Sequence, residues 1–274
     1  MVNDRMLLQD LARKIRIDTL KTIHKAKSGH PGGSLSAVEI LTVLYFYKMR
    51  IDPNFPKWPE RDRFILSKGH AAPAVFVTLA HRGFFPFSDL DTFRKTNGKL
   101  QGTVSITTPG GDMTVGSLGQ YLSVGTGMAM AGRMDGKDYK TYVLLGDGEI
   151  QEGQVWEAAM CAAHHKLGNL IAILDNNKVQ MCGDTRDILS IGEPGAKFAS
   201  FGWNVKSIDG HNINQIKEVL DGIPQDPWAA PTCIIADTIK GKGVSYMEGK
   251  SEWHGGAPSD EQLAQALKEL GEVQ

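Results

Sequence analysis

The chain has 274 residues, room for one large domain or two small ones at about 150 residues per domain. Thirty Lys and Arg balance 31 Asp and Glu for a net charge of −1, which argues against an electrostatic grip on nucleic acid or an anionic membrane. Three cysteines without a CxxC pair exclude a disulfide framework and argue against a thiolate zinc site, and no apolar run nears the roughly 18 residues that span a bilayer. The opening MVNDRMLLQD lacks the apolar core of a signal peptide, so the expectation is a soluble, cytoplasmic protein.

From the N-terminus, Leu7, Leu8, Leu11, Ile15, Leu20 and Ile23 recur near helical spacing, predicting an amphipathic helix over about 4–27 that Gly29 ends. A second helix is predicted over 34–48, carrying Val38, Leu41, Leu44 and Tyr45. The stretch IDPNFPKWPERD, with three prolines, is loop. Five apolar runs then read as buried strands, at 63–67, 141–146, 170–175, 203–208 and 232–238. Each precedes a helical pattern, at 71–82, 151–166, 193–201, 212–222 and 259–270. Alternation of this kind predicts an α/β fold, a parallel central sheet with helices on both faces and an N-terminal helical extension. No linker-like break divides the chain, so residues 1–274 read as one domain. Met128, Met130 and Met134, and Cys161 in the helix after GDG, read as core.

Glycine is over-used, 31 of 274 residues, about 11% against a typical 7%. The glycines cluster in SGHPGG, SKGH, TPGGD, GSLGQ, GDGEIQEG, IKGKG and WHGG, after the apolar runs. In parallel sheets ligands sit at the strand C-termini, so the pattern suggests one large ligand held by several loops.

The segment YVLLGDGEIQEGQVWEAAMCAAHHKLGNLIAILDNNKVQ reads as strand, glycine turn, helix, strand and an Asp-Asn-Asn loop. Gly146 and Gly148 let the turn approach a phosphate, and the following helix aims its amides there. Asp147 and Asn177, at the ends of adjacent parallel strands, suit one hard cation, Mg²⁺ or Ca²⁺, with diphosphate and water completing its shell.

This segment resembles the thiamine diphosphate signature, GDG followed about 30 residues on by NN. SGHPGGSLSAVE, SKGHAAPA, GSLGQ, GDGEIQEGQVWEA, DNNKVQ, TIKGKGVS and WHGGAP resemble, in order, the N-terminal half of transketolase, from about residue 14 to 270. The resemblance implies a thiamine diphosphate-binding fold, with Asp147, Asn177 and the Val179 carbonyl as metal ligands and Gly148 against the diphosphate. Gly146 and Glu149 flank that contact. It places His70 near diphosphate and substrate, and Gly116, Ser117 and Leu118 beside the cofactor's rings. It implies that His30 and His254 flank the reacting carbon on the substrate side, relaying protons near neutral pH. Glu152 resembles a buried glutamate linking two cofactor sites across a dimer. Lys240 and Lys242 are equally compatible with a ligand contact and with a solvated loop. His24, His81, His164, His165 and His211 read as ordinary structural histidines.

Two positions depart from the family pattern. Thr103 and Val104 stand where a donor-contacting His-Pro pair is usual, and Tyr121 stands where glycine is usual. Neither touches Asp147 or Asn177, so cofactor binding is expected to survive, while the sugar read by the site is either altered (a branched or otherwise unusual ketose) or ordinary. The implied reaction moves a two-carbon ketol unit from a ketose phosphate to an aldose. The family's pyrimidine-binding and C-terminal domains are not found before Gln274, so the expectation is activity only with a second chain, most simply as α₂β₂. The rivals are a component of a 2-oxo acid dehydrogenase or deoxyxylulose phosphate synthase, and a non-catalytic cofactor-binding component.

Overall fold

The computed structural model describes residues 2–272, with residues 2–6 as backbone alone. The first helix, α1 (Val2–Ala26), buries Ile15, Leu20 and Ile23 completely, each contributing about 1.5–3 kcal/mol relative to exposure. It stops short of Gly29, at Lys27, whose φ of 51° leaves the helical region. Gly29 serves packing instead, since a Cβ there would meet Ile23 at 2.8 Å.

The predicted second helix is broken into α2 (Pro31–Leu35), α3 (Val38–Val43) and a π-helical turn, Leu44–Lys48. It starts at Pro31 because proline at the first helical position gives up an amide that needs no partner. Close approach requires the two glycines of α2. A Cβ on Gly32 would lie 2.7 Å from the Trp253 carbonyl, and one on Gly33 would lie 2.8 Å from His70 Nε2.

The remaining elements are β1 (Arg63–Leu66), α4 (Ala72–Arg82), α5 (Tyr121–Met134), β2 (Thr141–Gly146), α6 (Gly153–His164) and β3 (Leu170–Asn176). They continue with α7 (Thr185–Leu189), α8 (Pro194–Ser200), β4 (Asn204–Asp209), α9 (Ile213–Asp221), β5 (Thr232–Asp237) and α10 (Asp260–Glu269). The five strands form one parallel sheet in the order β1-β2-β3-β5-β4. Every residue of β2 is buried, as expected of a strand covered on both faces. The edge strand β4 departs from the expectation of burial. Its sequence NVKSID is largely exposed, because it has a neighbour on one side only and carries Lys206 and Ser207.

Periodicity does not delineate helix α5, because Gly125, Gly127 and Gly132 interrupt the apolar pattern. Two of these glycines are contacts: a Cβ would meet Val143 at 2.5 Å from Gly125 and Tyr139 at 2.6 Å from Gly132. Met128 and Met130 pack on the core, but Met134 is 84% exposed at the helix end. Cys161 is exposed too, beside the stripe of α6 that buries Ala158, Ala159 and Ala162. A small second core of Leu20, Leu35, Val244, Met247 and Ala266 ties the loop after β5 to α1, α2 and α10. That packing brings IKGKG and WHGG back to the strand C-termini. No helix among the described residues is long and apolar enough to cross a membrane.

Candidate active site

Strands β2 and β3 pair in register, Gly146 opposite Asp175, so the GDG turn and the Asp-Asn-Asn loop leave the sheet side by side. Asp147 is nearly buried. Its Oδ1 accepts from the Gly148 amide at 2.8 Å and its Oδ2 from the Lys178 amide. Lys178 holds a left-handed φ of 67°, uncommon outside glycine, so the loop turns sharply just after this contact. Asn177 Oδ1 accepts from the Val179 amide at 3.1 Å. The Val179 carbonyl accepts from Lys240 Nζ at 2.8 Å and retains a second lone pair.

One carboxylate, one amide oxygen and one carbonyl from adjacent strand ends form a hard-oxygen donor set suited to Mg²⁺ with further ligand oxygens. No group of three His, Cys, Asp or Glu able to hold a metal occurs among the described residues. Two observations favour a bound diphosphate. A Cβ on Gly148 would press on Gln180 at 3.0 Å, so the turn is bare backbone that a phosphate can approach. Residues from Lys68, His70 and Leu118 to Lys240 and His254 line a cleft of about 190 Å³ that includes Asp147, Gly148, Asn177 and Val179. A larger cleft of about 620 Å³ adjoins it across Asp147 and Gln151. The smaller one holds the chemistry, since the donor set and the loops bearing His70 and His254 converge only there.

Burial raises the Asp147 carboxyl to about 6, and the nearby Asp175 adds to this. The Lys178 and Gly148 amides only partly oppose it. A raised carboxyl favours the protonated form, so a cation must compete with a proton as pH falls through about 6. Mg²⁺ affinity is therefore expected to be flat above about pH 7 and to fall about tenfold per pH unit below about 6. Calorimetric Mg²⁺ titrations with thiamine diphosphate between about pH 5 and 8 check this, and an unchanged affinity at the acid end contradicts it.

Beneath the cleft lies an ion pair that the sequence motifs contain but periodicity does not reveal. Lys68, of SKGH, and Asp175, of DNN, are both fully buried and bonded to each other. Lys68 also donates to the Gly33 carbonyl at 2.8 Å, while Asp175 accepts from the hydroxyls of Ser36 at 2.6 Å and Thr238. Burial pushes the Asp175 carboxyl up, but the Lys68 ammonium and the two hydroxyls together carry it below the usual carboxylate range. This network joins α2, the turn after β1, β3 and the end of β5.

Above it stand three imidazoles. The ring centroids of His30, His70 and His254 are 5.5, 5.6 and 4.8 Å apart in the pairs 30–70, 30–254 and 70–254. Burial, then the Arg94 and Lys240 cations, lower His30. Burial and Lys68 lower His70 well below its ordinary value. Burial and Lys240 bring His254 to about 4. All three are neutral near pH 7. Lys240, whose Nζ lies 3.0 Å from His254 Nδ1, is buried and lowered to about 8 by burial and Lys68. Lys240 thus lines the cleft and does not sit on a solvated loop. Lys242 pairs elsewhere, its Nζ 3.6 Å from Glu248.

The two glutamates at the entry to α6 differ in their surroundings. Glu152 is exposed in the single chain, at the start of α6, and Glu149 is the buried one. Its carboxylate accepts from Ser67 and from the amides of Gly119 and Gly146, at 3.0 and 2.9 Å. Burial raises this carboxyl against those three donors. Glu149 thus pins the GSLG loop onto the GDG turn. On that loop Gly116, Ser117 and Leu118 are exposed, with Leu118 at the cleft rim. The departing residue Tyr121 is buried and accepts from the Ser117 amide at 3.1 Å, so its bulk is built into the loop's support. Thr103 is half-buried and Val104 is buried in the core. Arg94, which carries no motif signal, reaches His30 from behind.

The family model of the transketolase thiamine diphosphate-binding domain matches residues 8–273. The chain is 44% identical to a protein of Phocaeicola vulgatus named as one of the subunits of apulose-4-phosphate transketolase, covering 95% of this chain and 92% of that protein. It is 45% identical to a 6-deoxy-6-sulfo-D-fructose transketolase subunit from a Clostridium species, covering 96% of each. Among solved structures, the transketolase of Campylobacter jejuni superposes with a TM-score of 0.90 at 33% identity, over 97% of this chain. The chain spans 43% of that structure's length.

Proposed function

The chain belongs to the transketolase family through its thiamine diphosphate-binding domain, and on that premise we propose that it is the diphosphate-and-metal subunit of a two-chain transketolase. It moves a two-carbon ketol unit from a ketose phosphate to an aldose acceptor. The observation that carries this reading is the convergence of the Asp147, Asn177 and Val179 oxygens with the imidazoles of His70 and His254 on one cleft, with the His30 ring packed beside both.

Asp147, Asn177 and the Val179 carbonyl hold Mg²⁺, and the backbone at Gly148 takes the diphosphate. Bound there, thiamine diphosphate supplies the electron sink for breaking and re-forming a carbon–carbon bond beside a ketone. The chain's own residues handle protons and hydroxyls. Neutral imidazoles at positions 30, 70 and 254 both donate and accept near pH 7, which suits transfer to and from sugar oxygens. Lys240 and Arg94 keep the cleft cationic, favouring an anionic ligand. Burial of Lys68 with Asp175 fixes the floor without adding net charge. The residues from 1 to 274 act as one domain in this reading.

The partner is a second polypeptide carrying the pyrimidine-binding and C-terminal domains, assembled as α₂β₂. Two relatives of similar length are named as subunits, which supports this assignment. Their names also concern unusual sugars, apulose 4-phosphate and 6-deoxy-6-sulfo-D-fructose. With Thr103 and Tyr121 at positions where the family usually differs, they favour an atypical donor or acceptor here. A sugar phosphate made inside a cell stays there because it does not cross bilayers unaided, which favours a cytoplasmic reaction.

Reconstitution tests both layers. The chain with a pyrimidine-binding partner, thiamine diphosphate and Mg²⁺ is expected to catalyse ketol transfer, and either chain alone to give at most about 1% of that rate, because the catalytic constellation is split. Full activity of this chain alone overturns the two-chain reading. Ordinary turnover of xylulose 5-phosphate with ribose 5-phosphate, at or above that of branched or sulfonated ketoses, overturns the atypical-substrate reading.

A further inference from the structure

We propose that Arg94 is a positioning residue for His30: its guanidinium holds the imidazole as the tautomer whose Nε2 carries the proton, making position 30 a hydrogen-bond donor toward the substrate. The inference rests on the functional reading above for its consequence, not for its geometry. Arg94 Nη2 lies 3.4 Å from His30 Nδ1, and Nη1 lies 2.6 Å from Ser28 Oγ, to which it donates. A guanidinium only donates and stays protonated. The ring nitrogen facing it therefore accepts, and in a neutral imidazole the proton must sit on the other nitrogen. Nε2 has no protein partner among the described residues, so it is the nitrogen left for a sugar oxygen. The contact is at the long end of the hydrogen-bond range, as is common before a ligand draws a site together.

The backbone supports a built role for this side chain. Arg94 has φ of 55°, the left-handed region that a long side chain rarely occupies. Its amide donates to the Leu100 carbonyl at 2.9 Å, and the preceding Phe93 is buried against Phe76. The turn thus sends residue 93 into the core and residue 94 toward the cleft. Strain of this sort persists where the surroundings over-determine it. The guanidinium pairs with no carboxylate among the described residues. A Cβ on Gly102 would sit 3.5 Å from its Nε, so the segment carrying the Thr103 departure rests on Arg94.

Four groups face His30: Arg94 and Lys240 as cations, His70 and His254 as neighbouring rings. Arg94 is the one bonded to Nδ1. Its removal frees both tautomers and lifts a cation's penalty on the imidazolium, so the acid limb of activity moves to higher pH.

The test is long-range nitrogen–proton NMR of the His30 imidazole in the full chain, which reads the tautomer without cofactor or turnover. The wild-type ring is expected as a single Nε2–H form, Arg94→Met as a mixture, and Arg94→Lys as largely restored. An unchanged His30 spectrum in Arg94→Met overturns the proposal. If that variant does not fold, Ser28→Ala, which releases Nη1, is expected to show the same change in smaller degree, and no change there overturns it equally. In the reconstituted enzyme Arg94→Met is expected to lower kcat about 10- to 100-fold with KM altered less than about threefold, typical of losing an outer partner. A KM rise with kcat intact also overturns it. Absence of ketol transfer by the wild-type pair would defeat the functional reading while leaving the tautomer result to stand.

Discussion

Asp147→Ala is expected to weaken Mg²⁺ binding by more than about 100-fold, beyond the 10- to 100-fold typical of outer partners, and with it to abolish measurable ketol transfer. Asp147 is the one carboxylate in the oxygen set, so its loss leaves a neutral amide and a carbonyl to oppose a doubly charged ion. The fold is expected to survive. The substitution strips acceptors from the Gly148 and Lys178 amides, a cost of about 1–3 kcal/mol each at most. Against that, it removes a buried carboxyl already raised to about 6 by its surroundings. Thermal scans with and without Mg²⁺ and thiamine diphosphate separate the two effects. The apo melting temperature should change little, and the ligand-induced rise should vanish in the variant. A variant that keeps the ligand-induced rise would show that the metal sits elsewhere.

Lys68→Met is expected to be the most damaging single change for stability, about 3–5 kcal/mol. It leaves Asp175 ionised and enclosed with only the hydroxyls of Ser36 and Thr238 for company. The damage belongs to the orphaned charge, not to the missing lysine. Adding Asp175→Asn to Lys68→Met should therefore recover more than half of the loss, because no buried charge remains. Denaturant midpoints of the two single variants and the double variant give the coupling directly. A cost below about 1 kcal/mol for Lys68→Met alone would mean that the carboxyl takes up a proton readily and that the pair does little for the floor of the cleft.

The parallel sheet was legible because its strands are short apolar runs bounded by glycine and followed by helices. The predicted runs match the strands to within a residue or two at their ends. The closeness of Asp147 to Asn177 was legible for the same reason, since residues at the ends of adjacent parallel strands converge whatever lies between them. What escaped depended on contacts distant in sequence. Helix α5 hides behind glycines that exist to admit Val143 and Tyr139. Glu149 and Glu152 sit close together at one helix entry, and only the fold says which of them turns inward. Lys68 and Asp175 are 107 positions apart and look like surface charges until the loops close over them. Arg94 belongs to a stretch with no motif, and its direction is set by a left-handed turn that no propensity for arginine would suggest.

The grip of Glu149 on Ser67, Gly119 and Gly146 bears on how a ligand is received. Three segments around the cleft share one acceptor, so they are immobilised relative to each other when the chain folds. Their conformational entropy is already lost before any cofactor arrives, and little ordering remains to offset the favourable contacts. Thiamine diphosphate should then associate without a slow rearrangement of these loops. The freedom that remains lies at the exposed rim, around Leu118 and Glu152. Any slow, concentration-dependent phase in assembling the active enzyme is therefore expected to report the meeting of two chains, with the cofactor pocket acting as a rigid body throughout.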